Sequence, residues 1–133
     1  MTEALPANAT ILLLVSDPLM RTLLHETLER AGYLVVEASD VGAAVDRLKE
    51  LRPDLLIVRP HINSMPGQMA AHYLRTRCAG LPVLIVGGFM DDERVHVQTA
   101  IQDYHVFPKP FAADELLGKV RDVLRSVHEK KTV

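Results

Sequence analysis

Short apolar runs alternate along the whole chain with longer stretches of helical spacing, and this alternation restricts the fold more than any other feature. Ile11–Val15 is a continuous apolar run, the pattern of a strand buried on both faces. Asp17-Pro18 then offers a capping side chain followed by a proline at the first helical position. Met20, Leu23, Leu24, Leu28 and Ala31 follow at helical spacing, and Gly32 closes that helix. Tyr33–Glu37 reads as a second strand. Asp40 caps a helix carrying Val41, Ala44, Val45, Leu48 and Leu51 on one face, which Pro53 breaks. Leu55–Val58 is a third buried strand. The loop Arg59–Gly67 leads to a helix marked by Met69, Tyr73 and Leu74. Pro82 introduces a fourth strand, Val83–Val86. A weakly patterned helix over Asp91–Ala100 and a short strand over Tyr104–Phe107 follow. Leu116, Leu117, Val120, Val123, Leu124 and Val127 stripe the last helix.

Five strands alternating with five helices imply right-handed crossovers and a doubly wound parallel sheet covered on both faces, a three-layer α/β domain. With 133 residues, one domain with one core is expected: residues 10–128, between flexible ends at 1–9 and 129–133. In open sheets of this kind function gathers beyond the strand C-termini. The loops of interest are therefore 16–18, 59–67, 87–93 and 108–111.

Composition narrows the choice of chemistry. Apolar residues make up 48% and charged residues 24%, with a formal net charge of −2 and no block of like charges. No electrostatic footprint for nucleic acid is visible. The N-terminus lacks a signal-peptide pattern, and no apolar run is long enough to span a bilayer, so a cytoplasmic location is expected. Cys78 is the single cysteine and reads as a core residue. The histidines His25, His61, His72, His96, His105 and His128 show no i,i+4 pair and no cysteine partners, so surface or structural roles are expected and no metal. Gly87-Gly88 reads as a tight turn and not as a phosphate-cradling motif. Asp91, Asp92 and Glu93 read as a helix N-terminus, where carboxylates complement the macrodipole.

The segments PLMRTLLHETLERAGYLVVEASD, RPDLLIV, LPVLIV and FPKPF, with LLGKVRDVLR after it, resemble in order and spacing the receiver domain of two-component response regulators. The resemblance covers roughly residues 10–126 and implies a flavodoxin-like fold with strand order 2-1-3-4-5. It also implies a phosphorylation site: two acidic residues after the first strand for Mg²⁺, an acceptor aspartate after the third, and a Thr or Ser after the fourth. A lysine after the fifth strand and an aromatic residue on it complete the set.

On this chain the acidic pair falls at Val15 and Ser16, the acceptor at Arg59, the hydroxyl at Gly87 and the aromatic at Val106. Only Lys109 matches, and the acidic Asp17 lies one place beyond the pair. A guanidinium stays protonated and offers no carboxylate to phosphorylate. Two like charges about 4 Å apart repel by roughly 4 kcal/mol at an effective dielectric of 20, so Arg59 beside Lys109 disfavours Mg²⁺. Three arrangements stay open for Arg59: turned to solvent, paired with Asp17, or holding an anion with Lys109. His61 stands in the same loop.

The expectation is thus a pseudo-receiver that binds a protein partner, or itself, without phosphorylation, with no enzymatic activity and no cofactor. The surface implied is Val95, Gln98, Ile101, Tyr104, Val106, Lys119 and Asp122, on the fourth expected helix, the fifth strand and the last helix. The alternative is a sensor that binds a small anion or metabolite at the former phosphorylation pocket.

Overall fold

The computed structural model describes residues 9–86, 104–107 and 113–131, with side chains described through residue 86 and from 113 to 125. Strand β1 (Thr10–Leu14) leads into helix α1 (Pro18–Arg30), then β2 (Leu34–Ala38), α2 (Val41–Glu50) and β3 (Leu55–Val58). After a loop come α3 (Gly67–Arg75), β4 (Val83–Val86), β5 (Tyr104–Phe107) and α4 (Ala113–Lys131). The sheet is parallel, with β2-β1-β3-β4 in the expected order and β5 pairing beside β4. Leu14 stands opposite both Ala38 and Val58, and Val58 stands opposite Ile85, so the strands end side by side.

The sheet divides the interior into two cores, because successive side chains of a strand point to opposite faces. Leu12, Leu14, Leu56, Val58, Val83 and Ile85 pack on α2 and α3, together with Ala44, Ala70, Leu74 and the buried Cys78. Ile11, Leu13, Leu55, Ile57 and Leu84 pack on α1 and α4, against Leu24, Leu28, Leu116, Val120 and Val123. β1 from Ile11 onward and the whole of β3 are apolar because both of their faces are covered.

The helix boundaries follow from local chemistry. Asp17 accepts a hydrogen bond from the Leu19 amide at 3.1 Å, with Pro18 at the first helical position. Asp40 accepts from the Ala43 amide at 2.7 Å. Gly32 takes a φ of 99°, the left-handed conformation that ends α1.

Several details differ from expectation. β2 begins at Leu34, one residue later than expected, because the Tyr33 amide bonds back to the Leu28 carbonyl and still belongs to the helix end. The loop after β3 holds a small antiparallel hairpin, His61–Ile62 with Met65–Pro66, turned by Asn63 at a φ of 57°. Leu23 and two of the residues that marked α3, Met69 and Tyr73, are exposed at 54%, 58% and 43%. α3 buries its smaller side chains Ala70 and Ala71 together with Leu74. The helix expected over Asp91–Ala100 lies outside the described residues.

Candidate functional site

The ends of β1 and β3 bring two short segments together. Val15 directly follows β1 and Arg59 directly follows β3, and since Leu14 is paired with Val58 these two residues adjoin. Val15 is fully buried, and its amide donates to the Ala38 carbonyl at 3.1 Å. Ser16 is half-buried and Asp17 exposed. The Asp17 carboxylate accepts the α1 cap hydrogen bond, as expected from Asp17-Pro18.

Arg59 stands at the end of β3 with its side chain partly enclosed. The residue is half-buried, and its Nε is shut off from water without a hydrogen-bond partner. It forms no direct ion pair with Asp17, which reaches it only through space. Burial pushes the guanidinium below the usual arginine range, and the Asp17 carboxylate raises it again in part. A second buried donor, Nε2 of Gln68 in the first turn of α3, also lacks a partner. Pro66 precedes that helix and supplies no side-chain cap.

The backbone around Arg59 is fixed by Gly67. The Gly67 amide donates to the Pro60 carbonyl at 2.6 Å. A Cβ at Gly67 would fall 1.9 Å from the Arg59 carbonyl oxygen. Only a residue without a side chain permits this approach, so the hairpin folds back onto the end of β3. His61 is exposed on that hairpin.

On the other side of the β1 end, α1 supplies a charged cluster that sequence reading missed. Arg21 Nη1 donates to the Val15 carbonyl at 2.8 Å and lies 3.4 Å from the Ser16 carbonyl. Arg21 Nε sits 3.4 Å from Glu37 Oε1, and His25 Nδ1 lies 2.6 Å from Glu37 Oε2. His25 Nε2 is 3.7 Å from Glu29, which gives this histidine a structural setting. Glu37 on β2 therefore ties α1 to the sheet, and Arg21 ties α1 to the loop where the resemblance puts metal ligands. A one-turn repeat from Arg21 to His25 was visible in the sequence, but nothing there linked it to Glu37.

The comparisons with known proteins agree with this geometry. Residues 11–121 match the response regulator receiver domain. The chain belongs to that family. Among curated receivers it is 31% identical over 120 residues to the response regulator MprA of Mycobacterium bovis, covering 89% of this chain and 51% of that protein. It is 28% identical over 117 residues to the probable transcriptional regulatory protein TcrX of Mycobacterium tuberculosis, covering 87% of this chain and 50% of that protein. The chain thus spans about half the length of these relatives. Among solved structures, NtrX of Brucella abortus superposes with a TM-score of 0.86 at 21% identity, over 94% of this chain and 28% of that one. The chemotaxis protein CheY4 of Vibrio cholerae gives 0.77 at 24% identity, over 87% of this chain and 98% of that one. These two likenesses concern the fold.

Within the receiver frame, Val15, Ser16, Asp17 and Arg59 gather at one end of the sheet. Gly87 and Lys109 lie outside the described residues, as do Val95, Gln98 and Ile101. Tyr104 and Val106 are described only as strand backbone. Lys119 is half-buried and Asp122 exposed on α4. Among the described residues no group of three His, Cys, Asp or Glu side chains comes together as a metal site. No helix among them is long and apolar enough to cross a membrane.

Proposed function

We propose that this receiver domain has lost phosphorylation as its switch and acts in two-component signalling as a phosphorylation-independent protein-interaction module. The observation that carries the reading is Arg59, a half-buried guanidinium directly after β3, at the position where the resemblance places the acceptor aspartate. An arginine cannot form an acyl phosphate, and its charge opposes a divalent cation. Val15 and Ser16 supply no carboxylate for Mg²⁺, and Asp17 is engaged as a helix cap. In this reading the whole domain is the five-strand, five-helix wrap, is not an enzyme and needs no cofactor. It meets a signalling partner or a second copy through Val95, Gln98, Ile101, Tyr104, Val106, Lys119 and Asp122.

The test is incubation with Mg²⁺ and acetyl phosphate, followed by intact-mass measurement, and in parallel with Mg²⁺ and beryllium fluoride, followed by amide NMR. The expected result is no added phosphoryl mass and no shifts at residues 15–18 or 59–61. A stable phosphoryl adduct would overturn the proposal.

One observation favours a second reading, a small-anion sensor. Arg59 Nε and Gln68 Nε2 are buried donors without acceptors, and buried polar groups are rarely left unpaired. A bound carboxylate or phosphate supplies the acceptor that such a donor lacks. Stabilisation in a thermal-shift screen of such anions, lost in Arg59→Met, would put this reading first. A flat screen would remove it.

A further inference from the structure

The chain leaves the sheet at Val15, and the strand ladder holds only half of that residue. The Val15 amide donates to the Ala38 carbonyl at 3.1 Å, and β2 ends at Ala38. The Val15 carbonyl takes its hydrogen bond from α1 instead, from Arg21 Nη1 at 2.8 Å. The Ser16 carbonyl lies 3.4 Å from the same nitrogen. One guanidinium therefore spans the backbone oxygens of the two positions to which the resemblance assigns the metal-binding acids. Hydrogen bonds from a charged donor are about twice as strong as neutral ones.

A guanidinium is planar, so fixing one of its donors aims the others. Arg21 Nε faces Glu37 Oε1 at 3.4 Å, which sets the plane from which Nη1 reaches the loop. Glu37 is held in turn. Its Oε2 lies 2.6 Å from Nδ1 of His25, one helical turn after Arg21, and its backbone carbonyl accepts from Arg47 Nε of α2 at 3.2 Å. The Arg21 and Glu37 side chains are 21% and 38% exposed, so the pair is better shielded than a surface ion pair.

Attachment of α1 to the sheet has another source. Leu24 and Leu28 are buried in the core on that face, next to Ile11, Leu13 and Ile57. Ser16 and Asp17 bring no apolar side chain to that core, and Ser16 is half-buried while Asp17 is exposed. The course of the loop is thus left to polar contacts, and Arg21 supplies those on its carbonyls.

We infer that Glu37, which lies outside the pocket, is a positioning residue: acting through Arg21, it sets the conformation of residues 15–17, the first loop of the pocket. The loop is ordered by a cation that the chain carries itself. This deepens the phosphorylation-independent reading and rests on it, since a loop ordered from within does not depend on a metal ion.

The experiment is NMR of the full chain in metal-free buffer, for wild type, Glu37→Gln, Arg21→Met, the double variant, and Asp46→Asn on α2 as a control. Two signals are read: the Val15 carbonyl carbon, which reports its hydrogen bond, and the amide order parameters of Ser16 and Asp17. Both belong to the folded state, so lower stability alone does not move them. In wild type the order parameters should be near the rigid value of about 0.85. In Glu37→Gln they should fall toward about 0.6, and the Val15 carbonyl signal should move upfield. Asp46→Asn should match wild type. The double variant should match Arg21→Met, because Glu37 acts only through Arg21. Three outcomes would overturn the proposal: both signals unchanged in Glu37→Gln, the same change in Asp46→Asn, or a further change when Glu37→Gln is added to Arg21→Met. Mg²⁺ is then added to wild type. Unchanged signals at residues 15–17 support the loop ordered from within, and shifts there overturn the phosphorylation-independent reading, whereas the positioning role of Glu37 is decided by the variants in metal-free buffer.

Discussion

Replacing Gly67 by alanine places a methyl group where the chain has no room. The added carbon would stand 1.9 Å from the Arg59 carbonyl oxygen, 3.0 Å from the Arg59 carbonyl carbon and 3.2 Å from that of Pro60. All three neighbours are backbone, so no rotamer change relieves the clash. An ordinary carbon contact needs about 3.5 Å, so the two segments must part by roughly 1.5 Å. Overpacking of this kind costs about 1–3 kcal/mol. The same movement stretches the Gly67–Pro60 backbone hydrogen bond, worth about 1 kcal/mol. The expected loss is therefore about 3 kcal/mol. In urea, with a slope of roughly 2 kcal/mol/M, the midpoint should fall by about 1.5 M. Gly118→Ala is the control: it sits inside α4, and apart from its chain neighbours and its own helix backbone no described atom lies within 4 Å of its added carbon. There alanine should stabilise by about 1 kcal/mol through helix propensity alone. If Gly67→Ala lost less than about 1 kcal/mol, the account of how the hairpin is anchored to the end of β3 would be refuted.

Arg59→Met should raise stability by roughly 1 kcal/mol, since it removes a half-buried guanidinium with an unpaired Nε. The gain should be constant from roughly pH 6 to 9, because arginine stays protonated throughout, and a loss in urea titration would show that Arg59 has an unseen acceptor. The Tyr33 phenol is held above its ordinary value by burial, against a smaller opposite pull from Arg121. The folded state therefore keeps a proton that the unfolded state releases, and stability should fall as pH rises above about 10. Tyr33→Phe should flatten that part of the pH profile, and an unchanged profile would count against it. Glu37→Gln weakens the contacts to Arg21 and His25 and should cost about 1 kcal/mol, a modest figure because the carboxylate is partly exposed. A double-mutant cycle with Arg21→Met should give a positive coupling, and strict additivity would show that the pair contributes nothing.

What could be read from the sequence was mostly what local chemistry decides. The cap at Asp17-Pro18, the cap at Asp40 and the left-handed Gly32 each depend on a few adjacent residues, and each stands where expected. The buried strands were legible because Ile11–Val15 and Leu55–Val58 are apolar without interruption. Periodicity was less reliable for α3: Met69 and Tyr73 share a face, but spacing alone does not say whether that face meets the sheet or the solvent. The sheet accepts the face with Ala70, Ala71 and Leu74, which allows close approach. The hairpin at residues 61–66 went unseen because its two-residue strands are too short for a pattern. At the candidate site the residue types were legible, including Arg59 after the third strand. The burial of its Nε and the hold of Arg21 on the Val15 carbonyl were not, because both arise from segments that meet only after the sheet forms.

The division of the interior by the sheet has a consequence for how this protein can change. The two side-chain cores touch different helices, and strands that contribute to both do so with alternate residues. A volume change at Leu56 is felt by α2 and α3, whereas one at the next residue, Ile57, is felt by α1 and α4. Substitutions on opposite faces should therefore combine nearly additively, while those on one face interact. The domain can be repacked one side at a time: the wall formed by α2 and α3 can drift in sequence while the opposite wall keeps its own constraints.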